Sequence, residues 1–109
     1  MSAFSETELG YLLSARRLAR VATIGRDGMP HVVPVGWNYN ADEDAIEVTG
    51  KKFAATKKYR DVLRTGRAAI VIDEVLPPWR PRGVEVRGRA EAIAGPVPLI
   101  RIHPDRIVS

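Results

Sequence analysis

Polar and apolar positions alternate along most of this 109-residue chain, and the period of the alternation changes at clear punctuation. Near the start, Ser5 followed by Glu8 has the spacing of a capping box, in which the Ser hydroxyl takes an early helix amide while the Glu side chain reaches back. Leu9, Leu12 and Leu13 then recur at helical spacing, which predicts a short first helix to about Ala15. The period drops to two in LARVATI (18–24), Arg26-Asp27-Gly28 supplies a turn, and HVVPVGWNY (31–39) resumes the extended pattern. These two segments read as a hairpin. Pro34 and Gly36 interrupt its second strand. Proline donates no ladder hydrogen bond and glycine has no side chain, so that strand is expected to be irregular, edge-like or closely approached by something else.

After an acidic turn (40–44), AIEVTG (45–50) sets Ile46 and Val48 on one face and Glu47 and Thr49 on the other, a third strand. Thr56 is an acceptable N-cap; Tyr59, Val62 and Leu63 follow at helical spacing, and Gly66 suits the position just past a helix end, so a second helix is predicted there. AAIVI (68–72) is continuously apolar, as for a strand buried on both faces. GVEVRGRAEAI (83–93) alternates Val84, Val86, Ala90 and Ala92 against Glu85, Arg87, Arg89 and Glu91, with one face core and the other wet. LIRIHPDRIVS (99–109) gives a last strand interrupted at Pro104. The segment 75–83 (VLPPWRPRG) reads as the one long irregular connection. Trp79 at its centre should pack on the chain's own core, on a ligand or across a subunit interface. About six short strands, two small helices and no strand-helix-strand rhythm predict a mainly β protein, a mixed or antiparallel sheet curled into a barrel.

Composition limits what such a barrel can do. The length allows one domain, expected over residues 1–109. No stretch approaches the ~18 uncharged apolar residues of a membrane helix, and MSAFSETELG has acids where a signal peptide has basic residues, so a cytoplasmic protein with no membrane partner is expected. Zero cysteines remove disulfides, thiolate nucleophiles and Cys-ligated metals; His31 and His103 alone make a His-based metal site a poor expectation. The net charge of +4 is unevenly spread: residues 1–50 hold four basic residues against seven acids, residues 51–109 thirteen against six. Seven of those thirteen lie between Lys51 and Arg67, opposed only by Asp61. The segment is either a solvated helix face or the seat of a phosphorylated or polyanionic ligand.

There is no GxGxxG after a strand, no GxxxxGK[ST], no HExxH and no GxSxG, so an enzyme built on this chain would take its chemistry from a cofactor. The best local anion site is the start of the second helix. There the first helix amides are free, the dipole is positive, Thr56 offers a hydroxyl, and Lys57 and Lys58 add charge, with Lys51 and Lys52 close in sequence. Cations at a helix N-terminus are locally unfavourable and become reasonable when an anion is bound. A basic nucleic-acid-binding barrel is the alternative from another class. It wants exposed aromatics interleaved with basic residues, and aromatics are only 6% here, so nucleic acid is not the expected partner.

Three ordered stretches, LARVATIGRDGMPHVVPVGWNYN, KKFAATKKYRDVLRTGRAAIVIDE and PWRPRGVEVRGRAEAI followed by IRIHPDRIVS, resemble the pyridoxamine-5′-phosphate-oxidase-like (PPOX) split β-barrel family of flavin and deazaflavin proteins. Within it, the chain is similar to a small actinobacterial F420-dependent branch that includes a tetracycline-pathway reductase. The resemblance implies an FMN-binding-type split barrel and a homodimer with the cofactor between subunits. It puts the cofactor phosphate at Thr56, Lys57 and Lys58, the flavin-like ring along Val33, Pro34 and Val35, and the phosphate and ribityl chain beside Thr49, Gly50 and Lys51. Trp79 and Arg80 become candidates for closing the site from the partner chain. The implied activity is hydride transfer from reduced F420 to an unsaturated small molecule; an FMN-binding protein or FMN-dependent oxidase or reductase is the alternative within the fold. No catalytic residue is assigned: Tyr59, His31 and Arg80 stand beside solvent as proton sources, with His31 more readily read as structural.

Overall fold

A computed structural model describes residues 1–14 and 17–109. Its elements are α1 (Glu6–Ser14), β1 (Ala19–Ile24), β2 (Pro30–Asn40), β3 (Ala45–Thr49), a 3-10 turn (Phe53–Ala55), α2 (Lys57–Thr65), β4 (Arg67–Leu76), β5 (Arg80–Ile93), β6 (Leu99–Ile102) and β7 (Arg106–Val108). The capping box forms as its spacing requires: the Ser5 amide donates to Glu8 Oε1 at 2.8 Å and the Glu8 amide to Ser5 Oγ at 3.1 Å. The predicted end of that helix, Ala15, lies outside the described residues. Of its apolar stripe Leu12 is buried, Leu9 half-buried and Leu13 exposed.

The strands run β4-β1-β2-β3-β6-β5, and β5 pairs back onto β4, closing a six-stranded antiparallel barrel with β7 added along β5. Two strands turn the corners. The first half of β2 pairs with β1 (Pro30 to Val35 against Ile24 to Ala19) and its second half with β3 (Gly36 against Thr49 onward). β5 likewise leaves β4 after Arg89 and continues with β6 from Ala90. Thus β2 is an interior strand, and the Pro34–Gly36 irregularity marks where it passes from one sheet to the other. The other corner depends on Gly88: a Cβ there would stand 1.9 Å from the His103 carbonyl oxygen, where the chain crosses between β6 and β7.

Side-chain alternation sends Val21, Ile46, Val48, Ile70, Ile72, Val84, Val86, Ile100 and Ile102 into the barrel. Phe53, Tyr59 and Val62 from the 3-10 turn and α2 join that core, as do Phe4, Leu12 and Trp37. Burying these side chains is the main stabilising term, roughly 1.5–3 kcal/mol for each large one. β4 corrects one expectation: only Ala68, Ile70 and Ile72 are buried, while Ala69 and Val71 are half-buried on the outer face. A closed barrel has one interior, so even an all-apolar strand keeps a second face outside. Glu47 departs the other way and is buried, because Asn40 Nδ2 and Arg101 Nε both donate to its Oε2 at 2.8 Å.

The expected irregular connection over 75–83 is instead the end of a long hairpin. Val75 pairs with Pro81 and Leu76 with Arg80, leaving a turn that contains the cis Pro77-Pro78 bond. β1 pairs with β4 only as far as Ile72, so the hairpin runs past β1. Its base is held to α1, where Glu74 Oε2 accepts from Arg17 Nε (2.8 Å) and Arg82 Nε (2.6 Å) while the Arg17 guanidinium lies 3.8 Å from the Tyr11 ring centroid. Trp79 at the tip is 75% exposed, which removes the chain's own core as its packing partner. Seven strands replace the expected six because the interruption at Pro104 splits the last segment in two.

Candidate functional site

The second helix carries the charge cluster and is capped at both ends as the sequence requires. Thr56 is extended (φ −77°, ψ 154°), and its Oγ1 accepts from the Tyr59 amide at 3.4 Å; Gly66 has φ 69° and its amide donates to the Val62 carbonyl at 2.8 Å. The Arg60 amide donates to the Thr56 carbonyl. Among the described residues the amides of Lys57 and Lys58 have no backbone acceptor, which leaves two donors at the positive end of the helix dipole. The Thr56 hydroxyl proton is committed to the Phe53 carbonyl at 2.6 Å, so in this conformation Thr56 shapes the helix start rather than offering a free donor.

Register places Thr49 against the Pro34–Gly36 stretch of β2, and chain continuity carries the backbone on from there. Thr49 faces Gly36 across the β2–β3 ladder, and Gly50 and Lys51 lead from it into the 3-10 turn and α2. Val35 and Pro34 immediately precede Gly36 on β2. Pro34 is exposed, Val35 half-buried and Val33 37% exposed. A Cβ added at Gly36 would meet nothing within 4 Å, so open space adjoins the backbone at the sheet corner. Lys51 and Lys52 are exposed, and Lys58 lies 5.2 Å from the Phe53 ring centroid in a cation–π contact. Free helix amides and the lysines of α2 suit an anionic group, and the bare strand corner at Gly36 suits the approach of a flat body. Trp79 and Arg80 are not part of this cluster; they sit on the hairpin that runs beyond β1.

Sequence reasoning treated Asp61 only as a lone opposing charge, yet it organises the side of α2 that faces β1 and β2. It is 2% exposed, and its carboxylate accepts from Thr23 Oγ1 at 2.8 Å, His31 Nδ1 at 2.8 Å and Arg64 at 3.3 Å. Burial alone would raise the Asp61 carboxyl, but the bonds from His31, Thr23 and Arg64 outweigh it and hold the group below the ordinary aspartate value. His31 therefore has a structural task, with its ring so close that a Cβ on Gly25 would stand 2.3 Å from His31 Cε1. Tyr59 is 4% exposed and packs edge-on against Phe53, which takes it off the list of groups available to a substrate. Arg64 also donates to the Ile24 carbonyl. Beside this network, Arg26, Asp27, Lys57, Arg60, Asp61 and Arg64 line a recess of about 490 Å³. The helical spacing of Lys57, Arg60 and Arg64 was legible as one face; the contribution of Arg26 from the β1–β2 turn was not.

A closed six-stranded barrel with two corner-turning strands, and a helix whose basic start keeps free amides, define a split-barrel protein with an anion-ready site. The sequence pattern of the pyridoxamine 5′-phosphate oxidase family matches residues 5–101, and the chain belongs to that family. It is 35% identical, over a 117-residue alignment covering 97% of this chain and 82% of the relative, to a 5a,11a-dehydrotetracycline/5a,11a-dehydrooxytetracycline reductase of Streptomyces rimosus. Among solved structures, a conserved hypothetical protein from Mycobacterium tuberculosis superposes with a TM-score of 0.78 at 20% identity, covering 97% of this chain and 84% of that one. A structure described as an F420 reductase gives 0.70 at 19% identity, with 91% and 94% covered. A FAD-binding protein from Mesorhizobium loti gives 0.71 at 21% identity, with 95% and 92% covered. At these identities the structural likenesses show the shared barrel. No helix among the described residues is long and apolar enough to cross a membrane.

Proposed function

We propose that the chain is an F420-dependent oxidoreductase that reduces an unsaturated small molecule, acting in the cytoplasm as a homodimer of single-domain subunits. The observation that carries this reading is the pair of unpaired amides at Lys57 and Lys58 at the start of a basic helix, in a chain whose 35%-identical relative is a reductase. When bound, reduced deazaflavin supplies a hydride, two electrons in one step, so the protein need offer no nucleophile. The residues present suit such a group. The Lys57 and Lys58 amides and ammonium groups bind its phosphate, Thr56 fixes the helix start that aims them, and Lys51 adds charge next to the ribityl chain with Thr49 and Gly50. Val33, Pro34 and Val35 give the ring a wall without large polar groups, and Gly36 lets a planar body approach the backbone.

The hairpin gives Trp79 and Arg80 the reach to close this site on a partner subunit. An indole left 75% exposed at a hairpin tip is the kind of side chain an interface covers. Arg80 acts as a ligand contact, since a guanidinium keeps its proton near neutral pH. With Tyr59 in the core and His31 bonded to Asp61, solvent supplies the proton that completes reduction. FMN is the second reading, favoured by the likeness to a FAD-binding barrel and by the first phosphate and tricyclic ring that it shares with F420.

The test is turnover. Reduced F420 with an activated alkene or imine acceptor should be reoxidised in the presence of the chain, and the Lys57→Ala/Lys58→Ala variant should need a higher cofactor concentration for the same rate. Each lost charge-assisted phosphate bond is worth about 1.5–3 kcal/mol. Turnover with reduced FMN and none with reduced F420 would replace the first reading by the second.

A further inference from the structure

Adjacent lysines on α2 serve different places. Lys58 lies over the Phe53 ring, whereas Lys57 joins the recess between the β1–β2 turn and α2. On α2 the recess residues Lys57, Arg60, Asp61 and Arg64 fall at i, i+3, i+4 and i+7, a single helix face, and Arg26 and Asp27 close it from the turn. Four cations and two carboxylates thus share about 490 Å³. Both carboxylates are already engaged: Asp61 by Thr23, His31 and Arg64, and Asp27 by the Met29 amide at 3.0 Å. Arg64 is held by Asp61 and the Ile24 carbonyl. The side chains of Arg26, Lys57 and Arg60 make no hydrogen bond or ion pair among the described residues, and the Lys57 charge acts on the Asp27 carboxylate. Three like charges gathered around one concavity repel one another, and an anion placed among them relieves that repulsion. Every residue that lines the recess is charged, which suits a small hydrophilic anion.

We propose that the Arg26, Lys57 and Arg60 recess binds a second anionic group, a carboxylate or phosphate, next to the phosphate held at the start of α2. This rests on the cofactor reading above and deepens it. Lys57 lies at the border of the two sites, so a ligand with one phosphate and a further acid on a flexible tail would fill both. FMN ends at its phosphate and leaves the recess empty, whereas the acidic tail of F420 extends beyond it. Affinity for the tail then resides in Arg26 and Arg60, outside the residues that hold the ring and first phosphate.

The experiment is calorimetric titration of the full chain with F420, with FMN and with inorganic pyrophosphate. The variants are Arg26→Ala/Arg60→Ala and, as an equal loss of charge elsewhere, Arg89→Ala/Arg106→Ala. Circular dichroism checks that both fold, as expected for exposed side chains. In Arg26→Ala/Arg60→Ala the F420 affinity should fall about tenfold or more and the FMN affinity less than about twofold, with pyrophosphate binding weakened to what the start of α2 retains. The distant pair should leave the ratio of F420 to FMN affinity unchanged. An unchanged ratio in the recess variant overturns the tail assignment, and if pyrophosphate binding is nevertheless weakened, the occupant is a free anion. Pyrophosphate binding equal in wild type and recess variant overturns the site itself. If neither tricyclic cofactor binds the wild type, the cofactor reading and the tail assignment fall together, and the pyrophosphate arm alone decides whether the recess binds anions.

Discussion

Removing the Asp61 carboxylate is the severest test of how α2 is held to the barrel. In Asp61→Ala, Thr23 loses its acceptor in a place where it is itself 2% exposed, which costs about 1–3 kcal/mol for an unsatisfied hydroxyl. His31 and Arg64 lose charge-assisted bonds worth roughly 1.5–3 kcal/mol each, but their side chains are 28% and 34% exposed and partly rehydrate. Removing one partner of a fully buried pair costs about 3–5 kcal/mol, so the expected loss here is near the lower end, about 3 kcal/mol. Urea unfolding at neutral pH and fixed protein concentration reads it out. With an m-value of roughly 1–1.5 kcal/mol per molar for a chain of this size, the midpoint should fall by about 2–3 M. The pH dependence has a definite sign. Because the folded carboxyl titrates below its ordinary value of 3.8, its stabilisation is fully present above that value and is lost as pH falls through the lower folded value. The gap between wild type and variant should therefore narrow only below about pH 4. A loss under about 1 kcal/mol at neutral pH, or a gap that persists in strong acid, would refute the reasoning.

Gly88→Ala should destabilise the barrel by about 3 kcal/mol or more in a thermal scan, since its Cβ would meet the His103 carbonyl at 1.9 Å; a loss under about 1 kcal/mol would mean that the crossing between β6 and β7 yields. Thr56→Ala should cost about 1 kcal/mol by urea titration through loss of the cap, and no change would show that the 3.4 Å bond from the Tyr59 amide contributes nothing. Trp79→Ala should leave stability within about 0.5 kcal/mol, because the indole is exposed, while weakening cofactor binding through the partner subunit. Unchanged cofactor affinity would remove Trp79 from the site.

Local signals were legible wherever a few neighbouring residues determine structure. Ser5 and Glu8 form their capping box, Thr56 and Gly66 bound α2, and the alternation from Val84 to Glu91 faces inward and outward as read. The reading failed where the deciding partner lies far along the chain. Pro77, Pro78 and Pro81 look like a loop in isolation, but register with β4 carries the ladder to Leu76 and Arg80. Asp61 looks like an isolated acid on a basic helix until the barrel brings Thr23 and His31 to it, 38 and 30 residues away. The further neighbours of Lys57 and Lys58 were equally hidden: successive helix positions stand roughly 100° apart, and the fold sets Lys57 in the recess and Lys58 over the Phe53 ring. The main-chain part of the candidate site was legible because Gly36, Thr49 and Gly50 are placed by one ladder and one short turn.

Parallel titration of the purified chain with F420 and FMN, followed by tryptophan quenching, tests the cofactor assignment most directly. Trp37 is buried in the core and Trp79 exposed on the hairpin, so Trp79→Phe identifies which indole reports the ring. The account predicts quenching by both ligands, tighter binding of F420, and loss of most of the signal in Trp79→Phe. Binding of FMN tighter by about tenfold, or no quenching by either ligand, would contradict it.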